Sequence, residues 1–201
     1  MKIHPTIFVL IIALSGLRMA YGQKELAAYT DADAYAVYSV ILAPERPASV
    51  AKAKIFVIET ETDDYPKYGD DDTKCLVSPK GEESTYDPVI AAYRAANKTA
   101  SLLQPKFDLP VPYKLVSTSW IQGLFAKNGG GWKEFYANYP NSGGLISMSA
   151  VGFNADKTIA LVYMGHSCGG LCGSGGYHVL KKINGSWAEI KWAGTSCVWV
   201  S

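Results

Sequence analysis

Apolar residues recur at three- and four-residue spacing over residues 30–42. Ala34, Val37, Tyr38, Ile41 and Leu42 share one side of a 3.6-residue turn, which predicts a helix with one buried face. Thr30 and Asp33 read as a capping box at its start, and Pro44 as its stop. The period then shortens. Ile55-Phe-Val-Ile58, within residues 53–60, is β-branched and aromatic and predicts a strand. Residues 61–83 are acidic, carry Gly and Pro, and read as a long loop. Asp87-Pro88 has the N-cap-then-proline order of a helix start. Val89, Tyr93, Ala96, Ala100 and Leu103 trace its buried stripe as far as Pro105. After Leu109-Pro-Val-Pro112 a strand is expected over 113–119. Gly129-Gly-Gly131 then leads into a short helix over 132–139, closed by Pro140.

From Leu145 onward the pattern is that of strands: 146–153, 158–166, 177–183 and 186–192. Asn154-Ala-Asp-Lys157 is a short hairpin loop, and Asn184-Gly185 is the strongest two-residue hairpin signal. That turn sets a register. It pairs Ile183 with Ser186, Lys181 with Ala188, Val179 with Ile190 and Tyr177 with Trp192. The opposite face sets His178 across from Lys191, Leu180 from Glu189 and Lys182 from Trp187. The first face is mostly apolar and is expected to meet the helices, the second to be partly wet. The expectation is one α+β domain over residues 23–201. Its N-terminal helices would pack on one face of an antiparallel sheet ending in a four-strand meander.

The N-terminus changes the setting. Lys2 precedes an apolar run over residues 7–14, too short to span a bilayer, and Ala20-Tyr21-Gly22 places small residues where a signal peptidase reads. Residues 1–22 are read as a secretory signal peptide cut after Gly22, so the mature chain is expected to be secreted or periplasmic. No second long apolar stretch follows, and no transmembrane segment is expected after cleavage. The 19 lysines and arginines become 17 once Lys2 and Arg18 leave with the signal; against 18 acids the mature charge is −1. That balance argues against electrostatic capture of nucleic acid or an anionic membrane.

Export bears on the four cysteines, Cys75, Cys168, Cys172 and Cys197. An even count outside the cytoplasm points to disulfides, and of the three connectivities Cys168–Cys172 with Cys75–Cys197 is favoured. The string His166-Ser-Cys168-Gly-Gly-Leu-Cys172, with His178 beyond it, also offers imidazole and thiolate ligands for zinc or copper. An oxidising compartment consumes those thiolates, so the disulfide takes precedence. The glycine-rich run lacks the phosphate-loop order, and no nucleotide or other cofactor is expected. Its glycines are read as supplying positive φ angles in a wide hairpin loop. If that loop is symmetric about Cys172, His166 sits across from His178, with Glu189 and Lys191 beside them. These four residues are the candidate catalytic group, and a one-residue slip would disperse them. His4 leaves with the signal, so any histidine-dependent chemistry must use His166 or His178.

Weaker candidates remain. Glu59, Glu61, Asp63, Asp64, Asp70, Asp71 and Asp72 could bind calcium but do not match an EF-hand loop, and they read as a solvated loop. Ser142 and Ser174 sit in Gly-containing turns without the nucleophile-elbow order. Asn97-Lys-Thr99 and Asn184-Gly-Ser186 match the glycosylation sequon.

The segments Tyr139-Pro-Asn-Ser-Gly143, Ser147-Met-Ser-Ala-Val-Gly-Phe-Asn154, Ala160-Leu-Val-Tyr163, Cys168-Gly-Gly-Leu-Cys-Gly173 and Gly185-Ser-Trp187 follow one another along the chain. Together they resemble a group of uncharacterised secreted bacterial proteins. The resemblance implies an envelope or extracellular setting, in which the sequons are irrelevant, and it transfers no catalytic residue. The leading expectation is a non-enzymatic exported domain with a binding or envelope role, its partner a small molecule or a protein. The rivals are an extracytoplasmic hydrolase-like enzyme built on His166 and His178 with Glu189 or Lys191, and a metal-binding protein using His166, His178, Cys168 and Cys172.

Overall fold

The computed structural model describes residues 25–43, 53–62, 76–126, 130–194 and 198–201. Residues 1–22, read from the sequence as a signal peptide, most of the acidic loop, Cys75 and Cys197 lie outside them. No described helix is long and apolar enough to cross a membrane.

Four helices form. Helix α1 (Ala32–Ile41) is capped by Asp31, whose Oδ1 accepts the Asp33 N–H at 3.0 Å, so the cap falls one residue after Thr30. Helix α2 (Glu83–Ala96) begins a turn before Asp87 and carries Pro88 inside it. That added turn brings Tyr86 into the core, where its ring meets Trp192 edge-on at 5.0 Å. Asp87 is occupied elsewhere, accepting the Ser78 hydroxyl. Helix α3 (Thr118–Ala126) replaces the end of the strand expected over 113–119. Ser117 Oγ accepts the Trp120 N–H at 3.2 Å, a local bond that favours helix entry over extension. Helix α4 (Gly131–Asn138) follows.

Among the described residues ten strands form: β1 (Ala28–Tyr29), β2 (Ile55–Glu59), β3 (Leu102–Leu103), β4 (Tyr113–Val116), β5 (Ser142–Met148), β6 (Gly152–Phe153), β7 (Ile159–Gly169), β8 (Cys172–Ile183), β9 (Ser186–Ile190) and β10 (Val198–Val200). β1 and β3 pair separately. The main sheet runs β10-β8-β7-β5-β2-β4, with β6 on β7 and β9 on β8. β2 is parallel to both β4 and β5, so the sheet is mixed rather than wholly antiparallel. The helix-bearing connections make this feasible, since parallel neighbours need long crossovers. The Asn184-Gly185 turn has φ of 50° and 83°, and the β8–β9 ladder keeps the expected register from Ile183↔Ser186 to Val179↔Ile190.

The α+β class holds, with helices on both faces of the sheet. Ile159, Leu161 and Val179 pack under Tyr86, Val89, Ile90 and Tyr93 of α2. Val57 and Val116 pack under Leu124 and Phe135 of α3 and α4. The other face, which the strand pattern left partly wet, is covered by α1. Ala160, Val162, Leu180 and Trp187 join Val37, Tyr38 and Ile41 there. The polar residues on that face are accommodated at its rim: Lys182 Nζ (2.8 Å) and Trp187 Nε1 (3.3 Å) both donate to Asp33 Oδ1. The Lys182 hydrogen bond is the main reason the Asp33 carboxyl titrates below the usual carboxylate range.

Candidate functional site

The β7–β8 hairpin carries most of the candidate chemistry, and its register differs from expectation. His166 lies opposite Ser174, and His178 lies opposite Val162. The two histidines share a face but stand four residues apart along it, roughly 13 Å at strand spacing. The cause is the glycine run. Residues 173–176 extend the strand instead of forming a loop, and neither Gly173 nor Gly175 has a positive φ. They make room for an indole. Trp199 of β10 lies over them and donates through Nε1 to the Tyr163 hydroxyl at 2.7 Å. A Cβ on Gly175 would fall 2.4 Å from both that nitrogen and that hydroxyl.

Each predicted site residue then has a definite place. His166 is buried, and its Nε2–H donates to the Gly143 carbonyl at 2.8 Å, tying β7 to the start of β5. His178 Nδ1 meets Glu189 Oε1 at 2.7 Å, diagonally across the β8–β9 ladder. Lys191 is exposed just past the end of β9. Cys168 and Cys172 are disulfide-bonded across the hairpin tip, where Leu171 is 91% exposed. Tyr136 of α4 steadies that tip by donating its hydroxyl to the Cys168 carbonyl at 2.9 Å. The pairing Cys75–Cys197 falls outside the described residues. The catalytic group His166, His178, Glu189 and Lys191 therefore does not assemble: His178 and Glu189 meet, while His166 serves the backbone. Two members of the metal set, Cys168 and Cys172, are committed to a disulfide. Among the described residues no group of three or more His, Cys, Asp or Glu is placed to hold a metal ion.

The weaker candidates resolve similarly. Ser142 Oγ donates to the Tyr139 carbonyl. Glu59 is buried and accepts the Thr118 hydroxyl at 2.6 Å, while Asp63, Asp64 and Asp70–Asp72 lie outside the described residues. Asn97 is fully buried. Its Nδ2 donates to the Tyr93 and Ala150 carbonyls and its Oδ1 accepts the Ala150 N–H, so a glycan there is incompatible with the fold.

Sequence reasoning overlooked a groove. Strands β9 and β10 both run antiparallel to β8 and lie in line, β9 against residues 179–183 and β10 against 174–176. β9 ends at Ile190 and β10 begins at Val198. At that interruption a groove of about 270 Å³ opens, lined by Met164, Ser174, Gly176, His178, Val198 and Val200. The signal for it was the run Val198-Trp199-Val200, whose β-branched and aromatic pattern is that of a strand. A second, larger depression of about 440 Å³ lies between α1 and Lys106 and Asp108.

Fold and site together define an α+β domain with a shallow, largely apolar groove at an open sheet edge. No protein-family model, no curated protein and no solved structure matches this chain.

Proposed function

We propose that the protein is an exported, non-enzymatic binding domain whose site is the groove between β8 and β10. The observation that carries this reading is the groove itself. Thioether and valine side chains line a concave surface with one oriented polar group, His178, held by Glu189. Binding sites are characteristically concave and mostly apolar, with a few fixed polar groups. The separation of His166 from His178 supports binding over catalysis, because it removes the pair an acid–base mechanism would use. The signal-like N-terminus, the resemblance to secreted bacterial proteins and the Cys168–Cys172 disulfide support export.

Two measurements test the two halves. Expressed with its full N-terminus in a bacterial host, the protein should be recovered outside the cytoplasm beginning near Gln23, and retention of residues 1–22 would count against export. The dye anilinonaphthalene sulfonate should bind the folded protein saturably, and Val198→Lys should abolish that binding with the melting temperature unchanged. The wild type should hydrolyse p-nitrophenyl acetate no faster than buffer. Hydrolysis that disappears in His178→Ala would overturn the non-enzymatic reading.

A further inference from the structure

We infer that the groove's ligand is an extended apolar peptide segment that adds as a strand to the outer edge of β10; this rests on the binding reading above and names its ligand class. The Ser201 N–H donates to the Gly173 carbonyl at 3.0 Å. Antiparallel ladders alternate, so Trp199 also turns its backbone groups toward β8. Val198 and Val200 therefore direct their N–H and C=O groups away from the sheet. Their side chains, 73% and 82% exposed, stand on the groove side, the same face as Ser174 and Gly176. A strand laid along this edge finds backbone partners at both valines and drops alternate side chains toward the groove.

The two ends of the sheet differ in how they meet solvent. The β4 edge is entered through Pro110 and Pro112 and carries the exposed Lys114, which are devices that discourage strand addition. β10 has neither proline nor charge, and it is held in place by the Trp199–Tyr163 hydrogen bond. A second copy of the chain is the less suitable occupant. Three residues give an edge roughly 10 Å long, which at the roughly 10 Å thickness of a sheet is a contact on the order of 100 Å², far short of the roughly 800 Å² that each partner buries in a stable dimer. A short peptide needs only the edge and the groove.

The test uses isotope-labelled protein and a blocked six-residue peptide alternating threonine and valine. Saturable amide shifts are expected at Val198 and Val200. Val200→Pro removes an outward N–H and leaves the bonds to β8 intact, and it should weaken binding by at least about tenfold. A peptide N-methylated at its pairing positions should lose binding to the wild type, which gives an answer even if the proline variant misfolds. Peptide binding unaffected by either change, or no shifts at these valines at millimolar peptide, would overturn the inference. So would a concentration-dependent dimer that Val200→Pro dissolves, since the occupant would then be a second copy. Dye binding without peptide binding sinks only the strand proposal, whereas loss of both sinks the groove reading as well.

Discussion

At the scale of single residues, two buried polar groups are treated in opposite ways. Asn97 satisfies both backbone groups of Ala150. The Trp192 indole N–H is buried without a hydrogen-bond partner among the described residues, its ring wedged against Tyr86. A hydrogen bond left unmade costs about 1–3 kcal/mol, so removing the donor offsets part of the volume lost. Trp192→Phe should therefore change the unfolding free energy in urea by less than about 1 kcal/mol, against the roughly 3–5 kcal/mol usual for truncating a buried tryptophan to alanine. A larger loss would show that the nitrogen has a partner. Neither side chain's role was readable beforehand. Asn97 presented itself as a sequon, and Trp192 as the partner of Tyr177 in a ladder that stops at Ile190.

At the scale of elements, the glycines decide the hairpin. Gly175→Ala should drive a methyl group into the Trp199–Tyr163 contact and lift β10 from its seat, at a cost of about 1–3 kcal/mol. Tryptophan emission should shift toward the solvent-exposed position before global unfolding, and an unchanged spectrum would contradict the seat. The Asn184-Gly185 turn was legible because its dihedral demand is local and specific, and it fixed the β8–β9 register correctly. The β7–β8 register was not legible. A glycine run has the same composition whether it forms a loop or makes room for a ring packed from a distant strand. Helix α3 was missed for a related reason: the single Ser117 hydroxyl decides where β4 ends and the helix starts.

At the scale of the whole molecule, β1 and α1 are tied to the segment between β5 and β6 through tyrosines. Tyr38 is fully buried and donates its hydroxyl to the Ser149 carbonyl at 2.8 Å, and Tyr29 accepts the Val151 N–H at 2.9 Å. Burial pushes the Tyr29 phenol up to about 12 and raises Tyr38 well above its ordinary value. The unfolded chain loses these protons near pH 10 while the folded chain keeps them. Stability is thus undiminished below pH 10 and declines as pH rises from 10 toward 12. Tyrosinate absorbance from these two groups should appear together with the loss of circular dichroism. Ionisation in the still-folded protein would show that they are accessible. The class of the fold was readable because all the described helices precede a run of strands that begins at Ser142. The cover on the second sheet face was not, because Val37, Tyr38 and Ile41 of α1 pack on Ala160, Val162 and Leu180, far away in sequence, with Lys182 received by Asp33 at the rim.

The seat of Trp199 has a consequence for affinity. β10 is short and its two valines are largely in water, so among the described residues a three-residue ladder to β8 and the indole contact with Tyr163 are what hold it to the sheet. Segments of this kind open at far lower free energy than a core strand, and only the docked population can receive a partner. The measured dissociation constant then equals the intrinsic one divided by the docked fraction. Amide exchange at Trp199 and Ser201, whose N–H groups face β8, reports that fraction, and comparing it with the binding constant separates the strength of the contact from the readiness of the edge to make it.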